Sequence, residues 1–270
     1  MCVKIMLHKP HHRYWLVLLG FAVLFVVAWS IIRCFPSKPQ GTVEVLSRQT
    51  VNVRGVPRNY RLVVPKSIKG SAKLPILFVY HGLGETPEQM AQDSRLNQLA
   101  AEKHCIVVYP QGRRLSWPVV VPENNPDYLD AELEFFDTLL KKLAADYPVD
   151  LKRVYALGMS QGGTFVSLLA SKRSDRLAAI VSHSAWLPES LAKHGIHAQY
   201  KLPAMFIAGT DDKVVPQSQT RQAYECFKSE DHPAEFFLLP GVGHRWAWRQ
   251  DINQRIWLFL SNHARKEPYR

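Results

Sequence analysis

Cysteine is scarce in this chain. Cys2, Cys34, Cys105 and Cys226 are its four, which make neither a disulfide framework nor the ligand spacing of a structural zinc site. Cys105 opens an apolar run and Cys226 falls in a helical pattern, places where a small buried residue is expected; a Cys105–Cys226 bridge is compatible with the sequence but not deducible from it. Also lacking are a Lys/Arg run, zinc-finger spacing and an aromatic RNA-binding motif. The net charge of +11 therefore reads as a solvated basic surface, and nucleic acid is not an expected partner. No internal repeat or low-complexity tract occurs. With 47% hydrophobic and 21% charged residues, the composition is that of a folded globular chain.

Acidic residues are missing from the first 34 positions, which hold Lys4, Lys9, Arg13 and Arg33; removing those four from +11 leaves +7 for the remainder. From Trp15 to Ile32 no charge occurs at all. That run, WLVLLGFAVLFVVAWSII, is long enough to cross a bilayer, with Trp15 and Trp29 placed as interfacial anchors. It exceeds the usual signal-peptide core, which favours an uncleaved anchor, although Ala28-Trp29-Ser30 could serve as a weak cleavage site. Arg33 before Cys34 argues against a lipoprotein cysteine. Lys4, Lys9 and Arg13 on one side are balanced by Arg33, Lys38 and Arg48 on the other, so orientation is weakly specified. The expected arrangement is an exported domain, anchored by residues 15–32 or secreted after cleavage. The organisation is then a signal anchor or signal peptide over 1–34, a linker over 35–40 containing Pro36 and Pro39, and a catalytic domain over 41–270.

Within that domain, Val43–Leu46 and Asn59–Val64 alternate as an antiparallel pair around a turn near Gly55. Leu74–Tyr80 is a continuous apolar run, the mark of a parallel strand buried on both faces. After it the pattern predicts helix over Pro87–Lys103, strand over Ile106–Tyr109, helix over Asp130–Tyr147, strand into Met159, helix to Lys172, strands over Ala178–His183 and Ala204–Ala208, helix over Gln217–Phe227, strand over Glu235–Leu239 and helix over Asp251–His263. This alternation is an α/β fold with a mostly parallel sheet covered by helices on both faces. Residues 111–127 and 185–202 read as long loops over the carboxyl ends of the strands, where such sheets bind ligands.

The stretch Val154-Tyr155-Ala156-Leu157-Gly158-Met159-Ser160-Gln161-Gly162-Gly163 joins a strand to a helix through Gly-x-Ser-x-Gly. The sharp turn exposes the serine Oγ at the carboxyl end of the sheet, and the glycines omit side chains where strand and helix converge. Ser160 is the candidate nucleophile. It needs a base, and the base an acid to fix its tautomer. In this fold the chain order is serine, acid, histidine. Asp212, in Gly209-Thr210-Asp211-Asp212, and His244, in Gly241-Val242-Gly243-His244, supply both at carboxyl strand ends; Asp211 is the alternative acid, with a turn role expected for it. His232 and His263 read as solvated, and His183 as a pocket residue that breaks the chain order. Oxyanion donors are expected from the N–H groups of Gln161 and Leu83, the latter in His81-Gly82-Leu83-Gly84. The chemistry requires no metal and no cofactor.

At these residues the chain resembles the α/β-hydrolase esterases grouped with polyhydroxybutyrate depolymerases and feruloyl esterases. The matching pieces are His81-Gly82, Tyr147-Pro148-Val149-Asp150 through Arg153-Val154-Tyr155, Gly158 to Gly163, Gly209-Thr210-Asp211-Asp212 with Val215-Pro216, and Gly243-His244-Arg245-Trp246. The resemblance implies an α/β-hydrolase fold and hydrolysis of a small-molecule or polymeric carboxylic ester through Ser160, Asp212 and His244. Trp246 is followed by Ala247-Trp248 where members often carry Pro-Gly, and Leu83 stands where depolymerases tend to have Cys, departures that bear on polyester specificity. Candidate substrate contacts are His81, Trp117, His183, Trp186 and Trp246, with a core role as the alternative for the three tryptophans and a plain strand-ending turn as the alternative for His81-Gly82-Leu83-Gly84. Other readings are a serine peptidase of the same fold and a non-catalytic, membrane-anchored binding protein. The oligomeric state is not legible.

Overall fold

A computed structural model of the chain describes residues 43–66, 72–119 and 127–267. The apolar run 15–32 and the linker 35–40 lie outside the described residues, and among the described ones no helix is long and apolar enough to cross a membrane.

Eight described strands make one sheet. They are β1 (Val43–Val53), β2 (Val56–Pro65), β3 (Leu74–Tyr80), β4 (Ile106–Pro110), β5 (Val149–Met159), β6 (Ala179–His183), β7 (Ala204–Gly209) and β8 (Ala234–Leu239). Their spatial order is β1-β2-β4-β3-β5-β6-β7-β8. β1 and β2 pair antiparallel, as do β2 and β4, and every later pairing is parallel. The β1–β2 turn places Arg54 at φ 53° and Gly55 at φ 80°, two successive left-handed residues as a tight hairpin requires.

Seven helices cover the sheet among the described residues: α1 (Pro87–Ser94), α2 (Asn97–Lys103), α3 (Asp127–Asp146), α4 (Gln161–Arg173), α5 (Glu189–His194), α6 (Gln217–Ser229) and α7 (Ile252–Ser261). The pleat of each strand divides the core in two. Ile76, Phe78 and Tyr80 of β3 face a layer holding Phe136 and Leu140 of α3, Phe165 of α4 and Phe227 of α6. Leu77 and Val79 face the opposite layer, with Met90 of α1, Leu99 of α2 and Ile256 of α7. Each such fully buried side chain contributes about 1.5–3 kcal/mol. Cys105 belongs to the second layer and Cys226 packs against the first, so the sheet separates them and both are free thiols.

One expected element divides. The helix anticipated over 87–103 is α1 followed by α2, because Arg95 takes φ 55° and closes α1. The break lets Leu96 and Leu99 both bury completely. Thr86 starts α1 with a reciprocal cap: its Oγ1 accepts from the Gln89 N–H at 3.2 Å and its own N–H donates to Gln89 Oε1 at 2.9 Å.

Candidate active site

Ser160 sits between β5 and α4 with φ 54° and ψ −125°. A non-glycine residue held there is strained, and its surroundings over-determine it. Its N–H donates to His183 O at 2.9 Å, and its carbonyl accepts from Thr164 N–H at 3.1 Å. A methyl group on Gly162 would run into the carbonyl oxygens of Tyr80 and His81, and one on Gly158 into the backbone of Gly162. The elbow closes only with glycine at both places.

Asp212 follows β7 and His244 follows β8, so parallel pairing of those strands brings both loops to one rim. His244 Nδ1 lies 2.8 Å from Asp212 Oδ2. The other carboxylate oxygen, Oδ1, accepts from the N–H groups of Val214 at 2.9 Å and Val215 at 2.8 Å. The Asp212 side chain is fully buried. Burial alone would raise its carboxyl, but the Val215 amide, the His244 side chain and the Val214 amide together hold it below the ordinary carboxylate value. A carboxylate fixed in this way directs Nδ1–H toward itself and leaves Nε2 for a reactant. Asp211 instead accepts a hydrogen bond from Thr210 Oγ1 at 2.8 Å on the surface.

Ser160 and His244 line one cavity of about 950 Å³. Leu83, Trp186 and Trp246 share its wall, as do Met90, Arg95, Met159, Val214 and Trp248. The Arg95 guanidinium stacks over the Trp248 ring, 3.4 Å from its centroid. Neither residue was expected at the site. The Trp246-Ala247-Trp248 alternation was the available signal for the second tryptophan, whereas Arg95 arrives only through the left-handed turn that ends α1.

The remaining expected residues stand behind the cavity. His81 is fully buried; its Nε2 accepts from Gly112 N–H at 3.0 Å, which leaves the proton on Nδ1, 2.7 Å from Gly82 O. Burial lowers its pKa, so it is a neutral tie between two loops and not a substrate contact. Trp117 is likewise a core residue, 2% exposed, stacked on Phe165 with centroids 5.0 Å apart. His183 is fully buried and stacks on Trp246 at 4.9 Å and 16°; burial, with the nearby His244, pulls it down to about 4. His232, expected in solvent, is 3% exposed because its Nδ1 meets the Leu202 backbone at 3.0 Å.

Leu83 is 68% exposed on the cavity rim. The Gln161 N–H is the first of α4 and has no carbonyl one turn before it within that helix. Leu83 lies in the loop after β3, and Gln161 opens α4 directly after Ser160.

A strained serine at the end of the central parallel strand, with an acid–histidine pair at later strand ends, is the arrangement of an α/β-hydrolase. The chain belongs to the Dienelactone hydrolase family, whose profile matches residues 124–267. It is 29% identical over 182 residues to NocK of Nocardia uniformis subsp. tsuyamanensis, a protein provisionally named an esterase; the match covers 66% of this chain and 52% of NocK, about half of that relative's length. It is 25% identical over 210 residues to Feruloyl esterase D of Neurospora crassa, covering 73% of this chain and 68% of that one. Among solved structures, the ferulic acid esterase AmCE1/Fae1A of Anaeromyces mucronatus superposes with a TM-score of 0.63 at 18% identity, over 85% of this chain and 94% of that one, which shows a shared fold.

Proposed function

We propose that the chain is a carboxylic ester hydrolase working through an acyl-enzyme. The observation that carries this reading is the Asp212–His244 pair at 2.8 Å, opening on the same cavity as the strained Ser160. His244 Nε2 takes the Ser160 proton as Oγ adds to the ester carbonyl. The resulting oxyanion is held by the N–H groups of Leu83 and Gln161, and His244 then protonates the departing alcohol. Water repeats the sequence to release the acid. Trp186, Trp246, Trp248 and Met159 wall the cavity and suit an acyl group with an aromatic or extended apolar part. Relatives named as feruloyl esterases support that class of substrate. We further propose that residues 15–32 anchor the protein and leave the domain exported, from the charge-free run in the sequence; protease access to the domain in intact cells checks it, and full protection would refute it.

The test is hydrolysis of p-nitrophenyl esters, methyl ferulate and hydroxybutyrate oligomers by the full-length chain beside Ser160→Ala. Turnover lost in the variant is expected, together with loss of labelling by a fluorophosphonate probe. A folded chain that hydrolyses no ester, or a Ser160→Ala variant as active as the parent, overturns the reading.

A further inference from the structure

The inference concerns the Gln161 side chain and rests on the ester-hydrolase reading above. Residues 112–117 form a loop between the two proposed oxyanion donors, and three hydrogen bonds tie it to the Leu83 side. Gly112 N–H donates to His81 Nε2 at 3.0 Å, Gly84 N–H to Leu115 O at 2.8 Å, and Trp117 Nε1–H to His81 O at 2.9 Å. On the other side the loop meets Tyr128 of α3, whose hydroxyl donates to Ser116 O at 3.0 Å, Phe165 of α4, on which Trp117 stacks, and the Gln161 side chain. Its Oε1 accepts from the Trp117 N–H at 3.0 Å, and its Nε2 donates to Ser116 Oγ at 3.1 Å.

The loop is built under constraint. Arg114 and Leu115 both take left-handed backbone, at φ 50° and φ 58°, a conformation unfavourable for a bulky side chain. A methyl group on Gly112 would collide with Ser116 O. Such a segment relaxes when its ties are cut, and the Gln161 amide supplies the hydrogen bonds on the α4 side, beside the stacking of Trp117 on Phe165. Gln161 is itself 8% exposed, so water does not replace those bonds, and loss of the amide would leave the Trp117 N–H unpaired in the interior.

We propose that the Gln161 side chain is a positioning residue for the oxyanion hole: it clamps residues 116–117, and through them the His81–Gly84 loop, so that the Leu83 N–H stays at a fixed distance from its own backbone N–H. One residue then donates to the oxyanion through its backbone and sets the second donor through its side chain. The cost of a misplaced donor falls on the transition state, where the charge resides, and not on ground-state binding.

The test compares Gln161→Met, which keeps the bulk and removes both bonds, with Gln161→Glu, which keeps an acceptor for the Trp117 N–H and the Ser116 hydroxyl. Each is assayed in the full-length chain on the best ester found for the parent, and each is titrated with a trifluoromethyl ketone. Ser160 Oγ adds to that ketone, its proton passes to His244, and the former carbonyl oxygen becomes a bound oxyanion. For Gln161→Met we expect kcat to fall roughly 10- to 100-fold with KM within about twofold, and affinity for the ketone to fall by the same factor as kcat. Gln161→Glu recovers most of both. Unchanged kcat, a loss confined to KM, unchanged ketone affinity, or a Glu variant no better than Met overturns the proposal. Should Gln161→Met fail to fold, Ser116→Ala decides: it cuts one tie, and a kcat loss of about three- to tenfold at constant KM is expected, with no loss refuting the clamp. An inactive parent refutes the esterase reading and the clamp with it; an active parent with an insensitive Gln161→Met refutes the clamp alone.

Discussion

Asp212 and His244 are separated along the chain by a helix and a strand, yet Asp212 Oδ2 meets His244 Nδ1 at 2.8 Å while Oδ1 takes two backbone N–H groups. Both carboxylate oxygens are thus used in fixing one imidazole. Asp212→Asn keeps the shape but offers an N–H donor or a neutral carbonyl in place of the anion. It is expected to lower kcat on an ester by about 10³- to 10⁴-fold with little change in melting temperature. Asp211→Asn, on the surface beside Thr210, should stay within about twofold of the parent. Steady-state kinetics on the two variants check the assignment, and the reverse ranking would move the acid to Asp211.

Acid sensitivity should come from buried histidine. His183 is held neutral by burial and drops to about 4, so below its unfolded value the unfolded chain binds a proton that the native state refuses. Stability is complete above about pH 6.5 and falls as pH drops toward 4, by roughly 3 kcal/mol from this residue. Asp212 adds no pH dependence in that window, because a carboxylate with a depressed native pKa keeps its full stabilisation until pH falls below the unfolded carboxylate value. Denaturant unfolding of the parent and His183→Phe at pH 7 and 4.5 measures the difference. An equally steep decline in the variant would assign the effect elsewhere, to His81 or His232, both also lowered by burial.

Glycine at the elbow is a steric requirement. Gly162→Ala pushes a methyl group into the Tyr80 and His81 carbonyls, backbone atoms at the end of β3 and just after it, and should destabilise the fold by about 3 kcal/mol. Gly243→Ala meets only Asp211 O, at 3.7 Å, and should cost less than about 0.5 kcal/mol. Comparing the two unfolding midpoints checks both, and equal midpoints would contradict the close approach.

The two thiols in the described fold should react at very different rates. Cys105 is fully buried, with its thiol pushed up to about 12; Cys226 is half-buried. In a chain carrying Cys2→Ser and Cys34→Ser, a thiol reagent should modify Cys226 first and Cys105 only on unfolding. Reductant should leave the melting temperature unchanged. A reductant-sensitive melt would reveal a bridge across the sheet.

Much of this protein was legible before its fold. The elbow was readable because Gly-x-Ser-x-Gly between an apolar run and a helical pattern is a local arrangement. Asp212 and His244 were readable because strand ends follow from the hydrophobic pattern and the loops carry few alternatives. What the pattern could not assign was the company each side chain keeps. His81 and Trp117 sit beside the site in sequence terms, yet the cavity wall goes to Trp248 and Arg95. The reason is that Arg95 turns left-handed to bury Leu96, and no local preference announces that turn. The Gln161 side chain was visible only as the residue after a serine; its bonds to Ser116 and Trp117 depend on a loop more than forty residues earlier. Period and spacing therefore determined the elements and the order of the chemistry. Which groups were desolvated, tied or left facing the cavity was decided by contacts between distant segments, which exist only once the sheet has assembled.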